Sequence, residues 1–269
     1  MIGLTAVIAA SGSNHTNSIP TCGLSLRSEA PYTERMKIQY ILVPLGIIAA
    51  FVFIAVFLMI RAVDGFAIAW KSENNEPRRP GALLYAALGD SAAQGLGAVT
   101  QHNGYVGLIQ ADIKQKGHDI QIINLSKSGA KIQDVIKDQL PELATLKPDL
   151  ITIEIGANDI ADYNAARFET DMDQLMSQLP KSTLISDLPY FGGRTQLPGF
   201  GGGKPEQRVL EANQIMRRLA AKHGFELVEL HAETQARNRF IWSYAVDYFH
   251  PNDLGYRAWA DAFIKRISF

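Results

Sequence analysis

A serine at the end of an apolar run is the first feature of this sequence that could do chemistry. Ser91 closes the run YAALGDS, where a strand-like apolar stretch gives way to small residues. A serine hydroxyl is a weak nucleophile at neutral pH, so it needs a base and a group that orients the base. Asp247 and His250, near the C-terminus, provide a carboxylate and an imidazole. We therefore predict a triad in which Ser91 is the nucleophile, His250 the base and Asp247 the orienting acid.

Attack of a serine on an acyl carbonyl creates an oxyanion that hydrogen-bond donors must stabilise. The backbone N–H groups of Ser91 and Gly129 and the side-chain amide of Asn158 are the candidates. Glycine permits a close backbone approach, and an asparagine amide donates without carrying charge. We predict that these three residues form an oxyanion hole in which each donor contributes about 3 kcal/mol.

The elements that would position these residues alternate between short apolar runs and longer helical patterns. Predicted strands lie at 83–89, 119–126, 149–156, 183–188 and 226–230, and predicted helices at 105–116, 132–143, 167–178, 206–223 and 253–267. This alternation predicts a parallel sheet that is covered by helices on both faces. Ligands bind such sheets beyond the carboxyl ends of the strands. Ser91, Gly129 and Asn158 each follow a predicted strand, so we expect them to meet at one edge.

Four blocks of the sequence, in the same chain order, resemble the SGNH or GDSL hydrolase family. They are Gly89-Asp90-Ser91, Gly129, Asn158 within Gly156-Ala157-Asn158-Asp159, and Asp247 with His250. The resemblance covers the chain from about residue 83 to the C-terminus. It implies an α/β fold, a three-layer α/β/α sandwich with a parallel flavodoxin-like sheet. It also implies ester hydrolysis through a serine acyl-enzyme.

Each block also has an ordinary structural interpretation. Gly-Asp-Ser is typical of a turn that starts a helix, Gly129 of a turn, and Asn158 of a loop between a strand and a helix. Asp247 and His250 could be a surface pair before the last helix. The conjunction of four blocks in order, three of them at predicted strand ends, favours the catalytic interpretation.

The expected substrate is a carboxylic ester of a small molecule, a lipid or a glycan. Members of the resembled family deacylate lipids, thioesters, acetylated sugars and cell-wall polymers, and the motifs do not choose among these. Two other functions stay open. One is an acyltransferase, in which a sugar or lipid hydroxyl resolves the same acyl-enzyme. The other is a catalytically silent binding module on a membrane tether.

A long apolar segment precedes the predicted hydrolase domain at 83–269. Residues 38–60 carry no charge and would form a helix about 34 Å long, which is enough to span a bilayer. We predict a single-pass membrane anchor there and a linker at 61–82. Residues 1–37 form a predicted disordered leader, which translation from Met36 would largely omit. The alternative is a cleaved signal peptide, whose apolar region is usually about half this length.

The basic residues that flank the apolar segment lie on both sides of it, so the positive-inside rule gives no clear orientation. We expect the span to act as a signal-anchor that leaves the catalytic domain outside the cytoplasm.

Composition argues against other classes of protein. The formal net charge is −1 and the basic residues are scattered, so we expect no nucleic-acid partner. Cys22 is the only cysteine, which excludes an intrachain disulfide and a thiolate metal cluster. The histidines outside the triad lack ligand spacing, so we expect no metal, and no motif calls for a cofactor.

Two further features of the sequence lie near the predicted site. The long loop at 189–205 is interpreted as a lid or a wall of the acyl pocket, with an inert surface loop as the alternative. Trp242 and Tyr244 shortly precede Asp247. We interpret both as core residues rather than as parts of a pocket.

Overall fold

A parallel four-stranded sheet forms the centre of the structure, a computed structural model that describes residues 32–192 and 204–268. The strands are β1 (Leu83–Gly89), β2 (Ile120–Asn124), β3 (Leu150–Glu154) and β4 (Thr183–Ile185). Their spatial order is β2-β1-β3-β4, and every adjacent pair is parallel. Strand β1, which precedes Ser91, is therefore central, and its carboxyl end lies between those of β2 and β3.

Helices precede, separate and follow the strands. They are α1 (Tyr32–Asn74), α2 (Ser91–Gln94), α3 (Tyr105–Gln115), α4 (Ile132–Asp134), α5 (Leu140–Leu143), α6 (Ala165–Gln178), α7 (Lys204–His223), α8 (Leu230–Arg237) and α9 (Asp253–Ile264). A π-helical turn, Val135–Gln139, joins α4 to α5, so the helix predicted at 132–143 is present in three pieces. Short 3₁₀ turns occur at Gln101–Asn103, Ala157–Ile160 and Ile241–Ser243.

Two apolar cores flank the sheet, as the alternation of side chains along β1 requires. Ala86 and Leu88 pack into the core formed with the helices from α4 to α7. Tyr85 and Ala87 face the other way, into the core formed with α3 and α9. The result is a helix layer, a sheet and a second helix layer, which confirms the predicted α/β/α architecture.

The prediction of a fifth strand at 226–230 is wrong, and a single β-bridge at Val228 forms there in its place. Val228 pairs in parallel with Ser186, and its N–H donates to the carbonyl of Ile185 at 2.7 Å. The Asp187 carboxylate accepts the N–H of His231 at 2.7 Å, in the first turn of α8. The chain therefore turns into a helix where the sequence pattern continues the strand.

The N-terminal helix α1 is longer than the predicted membrane span. It includes residues 32–37, assigned from the sequence to the leader, and residues 61–74, assigned to the linker. Within it, Gln39–Asn74 is long and apolar enough to cross a membrane, with a mean hydropathy of 3.0 in its most apolar stretch. The end of α1 is helical because it packs: Trp70 is 2% exposed and belongs to the core around α3 and α9. Residues 1–31 of the predicted leader lie outside the described residues.

Candidate active site

The candidate nucleophile lies at the carboxyl end of the central strand. Ser91 is the first residue of α2 and is 6% exposed. Asp90 caps this helix, since its carboxylate accepts the N–H of Ala92 at 2.9 Å. Behind it, the Gln139 side chain accepts the Gly89 N–H at 2.9 Å and donates to the Gly89 carbonyl at 2.8 Å. The backbone before Ser91 is thus held on both sides.

The predicted triad residues form one chain of hydrogen bonds. The Oγ of Ser91 lies 2.8 Å from Nε2 of His250, and Nδ1 of His250 lies 2.5 Å from Oδ2 of Asp247. Because the carboxylate accepts from Nδ1, Nε2 is left to accept the proton of the serine hydroxyl. The other oxygen of Asp247 accepts the backbone N–H groups of Phe249 at 3.0 Å and His250 at 3.1 Å. Both carboxylate oxygens are therefore fixed.

The charge of Asp247 is maintained although the residue is largely buried. Burial raises the pKa of this carboxyl, but the hydrogen bond from the His250 side chain, the attraction to it and the two backbone N–H groups together outweigh burial, so the pKa is lowered. Asp247 is therefore ionised at neutral pH. An ionised carboxylate next to Nδ1 stabilises the imidazolium that forms when Nε2 takes a proton.

A tight turn brings His250 to Ser91. Tyr248, between Asp247 and His250, has a φ of 53°, an uncommon conformation for a residue other than glycine. Gly97 lies directly under this turn: a Cβ there would be 2.4 Å from the carbonyl oxygen of Pro251 and 2.8 Å from the Cβ of His250. A side chain at position 97 would push the imidazole away from the serine.

The oxyanion candidates converge on the same edge but differ in their present contacts. Asn158 follows β3, and its amide nitrogen donates to Oδ2 of Asp90 and to the carbonyl of Ala130, both at 3.0 Å. These partners are the sequence neighbours of Ser91 and Gly129, so the three blocks are joined. Gly129 has a φ of 78°, which favours glycine. Both amide hydrogens of Asn158 already have acceptors, so a contact with an oxyanion would have to share or replace one of them.

Two residues with clear roles at the site were not singled out from the sequence. Asp90 holds both the nucleophile helix and Asn158, and its position before a helix-starting serine was the available signal. No sequence pattern pointed to Gly97, because the clash that a side chain there would make with the histidine turn arises only from tertiary packing.

Of the remaining sequence predictions near the site, the one for Tyr244 is confirmed and the one for Trp242 is wrong. Tyr244 is 6% exposed and packs in the interior as predicted, whereas Trp242 is 62% exposed, so its assignment to the core is wrong. Most of the loop at 189–205 lies outside the described residues. At its start, Phe191 is buried and packs edge-on against Phe249, which in turn packs edge-on against the ring of His250.

Comparison with models of known protein families identifies the family of this chain. The model of the GDSL-like lipase/acylhydrolase family matches residues 87–258, which is more than half of the chain. The chain belongs to this GDSL-like family. The matched region contains Ser91, Gly129, Asn158, Asp247 and His250, and the resemblance to SGNH hydrolases seen in the sequence is confirmed.

Individual relatives agree with the family assignment. Esterase TesA of Pseudomonas aeruginosa is 36% identical over 72 residues, or 27% of this GDSL-family chain and 35% of the relative, so the match spans about a third of that relative's length. The lipase/acylhydrolase from Enterococcus faecalis superposes with a TM-score of 0.56 at 21% identity, covering 69% of this chain and 95% of that one. The acetylxylan esterase Axe2 from Geobacillus stearothermophilus gives a TM-score of 0.56 at 20% identity, covering 71% and 97%. At these identities the solved structures establish the shared fold.

Proposed function

We propose that this protein is a membrane-anchored serine esterase or acylhydrolase that cleaves a carboxylic ester. The observation that carries the proposal is the continuous hydrogen-bond chain from Ser91 through His250 to Asp247, in a member of the GDSL-like family. The substrate class is an ester of a small molecule, a lipid or a glycan.

In the proposed reaction, Oγ of Ser91 attacks the ester carbonyl while Nε2 of His250 takes the hydroxyl proton. His250 then returns this proton to the leaving alcohol, and the acyl group stays on Ser91. A water molecule attacks the acyl-enzyme with His250 again as base, which releases the acid and restores the hydroxyl. Asp247 holds the imidazole in the required tautomer and balances its charge in both steps.

The proposed oxyanion hole consists of the N–H groups of Ser91 and Gly129 and the amide of Asn158. The first N–H groups of a helix have no partner within the helix, which suits Ser91 at the start of α2. Asn158 would turn one hydrogen from Asp90 or Ala130 toward the oxyanion. The oxyanion carries more negative charge than the ester carbonyl, so this exchange would favour the transition state over the bound substrate.

The test is covalent labelling together with turnover of the full-length chain in detergent. Wild type should react with a fluorophosphonate probe and hydrolyse p-nitrophenyl esters, and Ser91→Ala should do neither. Ser177→Ala is a matched control, because Ser177 is exposed on α6, where its hydroxyl donates to the carbonyl of Gln174. Activity of Ser91→Ala near the wild-type level would end the serine mechanism.

The outcomes of this test separate the other two functions. If wild type is labelled but releases no acid, and instead forms a new ester when an acceptor alcohol is added, the protein is an acyltransferase. If the probe does not label Ser91 at all, the domain is a binding module.

The membrane anchor is the second part of the proposal. It is supported by α1, whose segment Gln39–Asn74 meets the length and hydropathy of a membrane span. Membranes that contain the full-length chain should retain it after extraction with alkaline carbonate, and release into the supernatant would contradict the anchor. We propose that the catalytic domain faces away from the cytoplasm, so protease added to intact spheroplasts should digest it.

A further inference from the structure

An exposed apolar surface surrounds the loop that carries Asp247 and His250. We call it the aromatic patch, and its members are Val99, Phe240, Ile241, Trp242, Val246, Tyr248 and Leu254. Each of these side chains is at least 40% exposed; Val99 is the most exposed at 80%, and the large side chain of Trp242 is 62% exposed. Single exposed apolar residues are common, but six of these seven lie within residues 240–254, and the N–H of Val99 donates to Asp253, next to Leu254, at 2.8 Å, so together they are a candidate interaction surface.

The aromatic patch is fixed to the histidine turn. The rings of Phe240 and Trp242 stack at 4.4 Å with an interplanar angle of 11°. The Asn252 side chain donates to the carbonyls of Trp242 at 2.8 Å and Tyr244 at 3.0 Å, which ties the two ends of the turn together. Whatever binds the patch therefore lies at a fixed position relative to His250.

Two arginines lie at the margin of the aromatic patch. The guanidinium of Arg239 is 5.0 Å from the ring centre of Phe240. Arg257 is exposed on α9, three residues after Leu254 and hence on the same side of the helix. Within residues 32–192 and 204–268, neither arginine forms an ion pair with a carboxylate. The patch thus combines apolar side chains with two cations that are available to an anionic partner.

The end of α1 packs on the domain near the edge of the sheet that carries the active site. Arg79 donates to the carbonyl of the first residue of β2 at 3.1 Å. Asn74, at the end of α1, exchanges hydrogen bonds of 2.8 and 2.9 Å with the last residue of β2. Further toward the N-terminus, the indole of Trp70 donates to the carbonyl of Gln94, in the helix that starts with Ser91. Followed in that direction, the chain runs from the amino ends of the strands to the catalytic edge.

We propose that the aromatic patch docks on the surface of the bilayer, with Arg239 and Arg257 against anionic headgroups. The proposal rests on the membrane anchor proposed above. Tryptophan and tyrosine favour the membrane interface, and basic residues are attracted to anionic lipids. The aliphatic members Ile241, Val246 and Leu254 suit acyl chains rather than the polar rim of a sugar. Docking would hold the Ser91 edge against esters that reside in the membrane.

Trp242 is a built-in probe for this proposal. The protein has three tryptophans, and Trp70 and Trp259 are each only 2% exposed. The full-length chain, carrying Ser91→Ala to prevent turnover, is reconstituted into vesicles of phosphatidylcholine and phosphatidylglycerol with or without brominated acyl chains. Brominated chains should quench the one tryptophan that reaches the interface, or about a third of the emission. Adding Trp242→Phe should abolish this loss, and adding Arg239→Glu with Arg257→Glu should reduce it.

The controls separate the aromatic patch from the anchor. Vesicle flotation reports the anchor: if the chain floats but Trp242 stays unquenched and open to aqueous iodide, the patch proposal is overturned while the anchor stands. If the chain does not float, both are overturned. Quenching that persists in Trp242→Phe comes from another tryptophan and also overturns the patch proposal. A Trp242 emission that responds to soluble acetylated xylo-oligosaccharides but not to brominated lipid overturns it too. Equal quenching in the arginine double variant would overturn the role of the two cations.

Discussion

Two regions of the molecule carry the same pair of side chains with different surroundings. At the catalytic edge, His250 lies 2.5 Å from Asp247. On the face formed by α6 and α7, His223 lies 2.6 Å from Asp173. Both carboxyls have a lowered pKa. Only at the catalytic edge does the second ring nitrogen reach a serine hydroxyl, at 2.8 Å from Ser91.

The partners of the two carboxylates explain why the pairs are not equivalent. Both oxygens of Asp173 lie 2.8 Å from Nζ of Lys222, and this bond is the largest cause of its lowered pKa. Its charge is already matched by a lysine near solvent. Asp247 has His250 and two backbone N–H groups as partners, so its charge is directed at the imidazole. A histidine–aspartate pair is therefore suited to catalysis by what surrounds it rather than by its own geometry.

The strongest test of this comparison removes each histidine in turn. His250→Ala should lower kcat by about 10³-fold or more, because His250 is the base that lies within hydrogen-bond distance of the serine hydroxyl, at 2.8 Å. His223→Ala should leave ester turnover close to wild type and change only stability. Both variants are measured with the same p-nitrophenyl ester at matched fractions of folded protein. A mild effect of His250→Ala would mean that another group acts as the base.

A smaller change tests the acids. Asp247→Asn keeps the size of the side chain but removes the charge and favours the wrong imidazole tautomer, so kcat should fall by about 10²- to 10⁴-fold. Asp173→Asn should leave kcat and KM unchanged. Equal effects of the two substitutions on turnover would show that the loss comes from folding and not from the imidazole.

The two regions also contain an asparagine each. Asn158→Ala should lower kcat by about 10²-fold with little change in KM, because the lost donor acts mainly on the transition state. Asn164 caps α6 by accepting the N–H of Arg167 at 2.9 Å. Asn164→Ala should cost about 1 kcal/mol of stability and leave kcat unchanged. An Asn158 effect confined to KM would assign that residue to substrate binding and remove it from the oxyanion hole.

Much of the fold follows from sequence because strands and helices here have clean patterns. The four strands have apolar runs that are buried on both faces, and the predicted helices overlap α3, α6, α7 and α9. The prediction of a fifth strand at 226–230 is wrong because Asp187, a residue distant in sequence, accepts the N–H of His231 and stabilises the start of α8. The continuation of α1 to Asn74 was likewise not visible in the sequence, since Trp70 packs into a core formed by distant residues.

The candidate site was predictable to the extent that its chemistry lies in residue type and chain order. Ser91, His250 and Asp247 could be chosen because nucleophile, base and acid have distinct side chains. The contacts of Asn158 with Asp90 and Ala130 could not be predicted from the sequence, because they depend on the distances between three loops in the folded chain. Gly97 likewise matters only through the turn that packs on it.

The smallest expected effect concerns a carboxyl with the opposite pKa shift. Asp187 is fully buried, and burial raises its pKa from 3.8 to about 6, although the His231 N–H and Arg217 at 2.9 Å oppose this. The folded state thus binds this proton more tightly than the unfolded state, so the stability it contributes is greatest at low pH. That contribution is lost as the pH rises from about 4 to about 6. Asp173, whose pKa is lowered, contributes in the opposite direction and loses its share as the pH falls.

Substitution to asparagine should therefore change the pH dependence of stability in opposite senses at these two sites. We expect Asp187→Asn to lose less stability than wild type between pH 4.5 and 6.5, and Asp173→Asn to lose less than wild type when the pH is lowered below 4. The melting temperature of the full-length chain in detergent, followed at each pH, measures both. Parallel curves for wild type and Asp187→Asn would mean that the proton on Asp187 is not bound more tightly in the folded state. Burial would then not raise the pKa of Asp187, while the lowered pKa of Asp173, which its bond to Lys222 causes, would be unaffected.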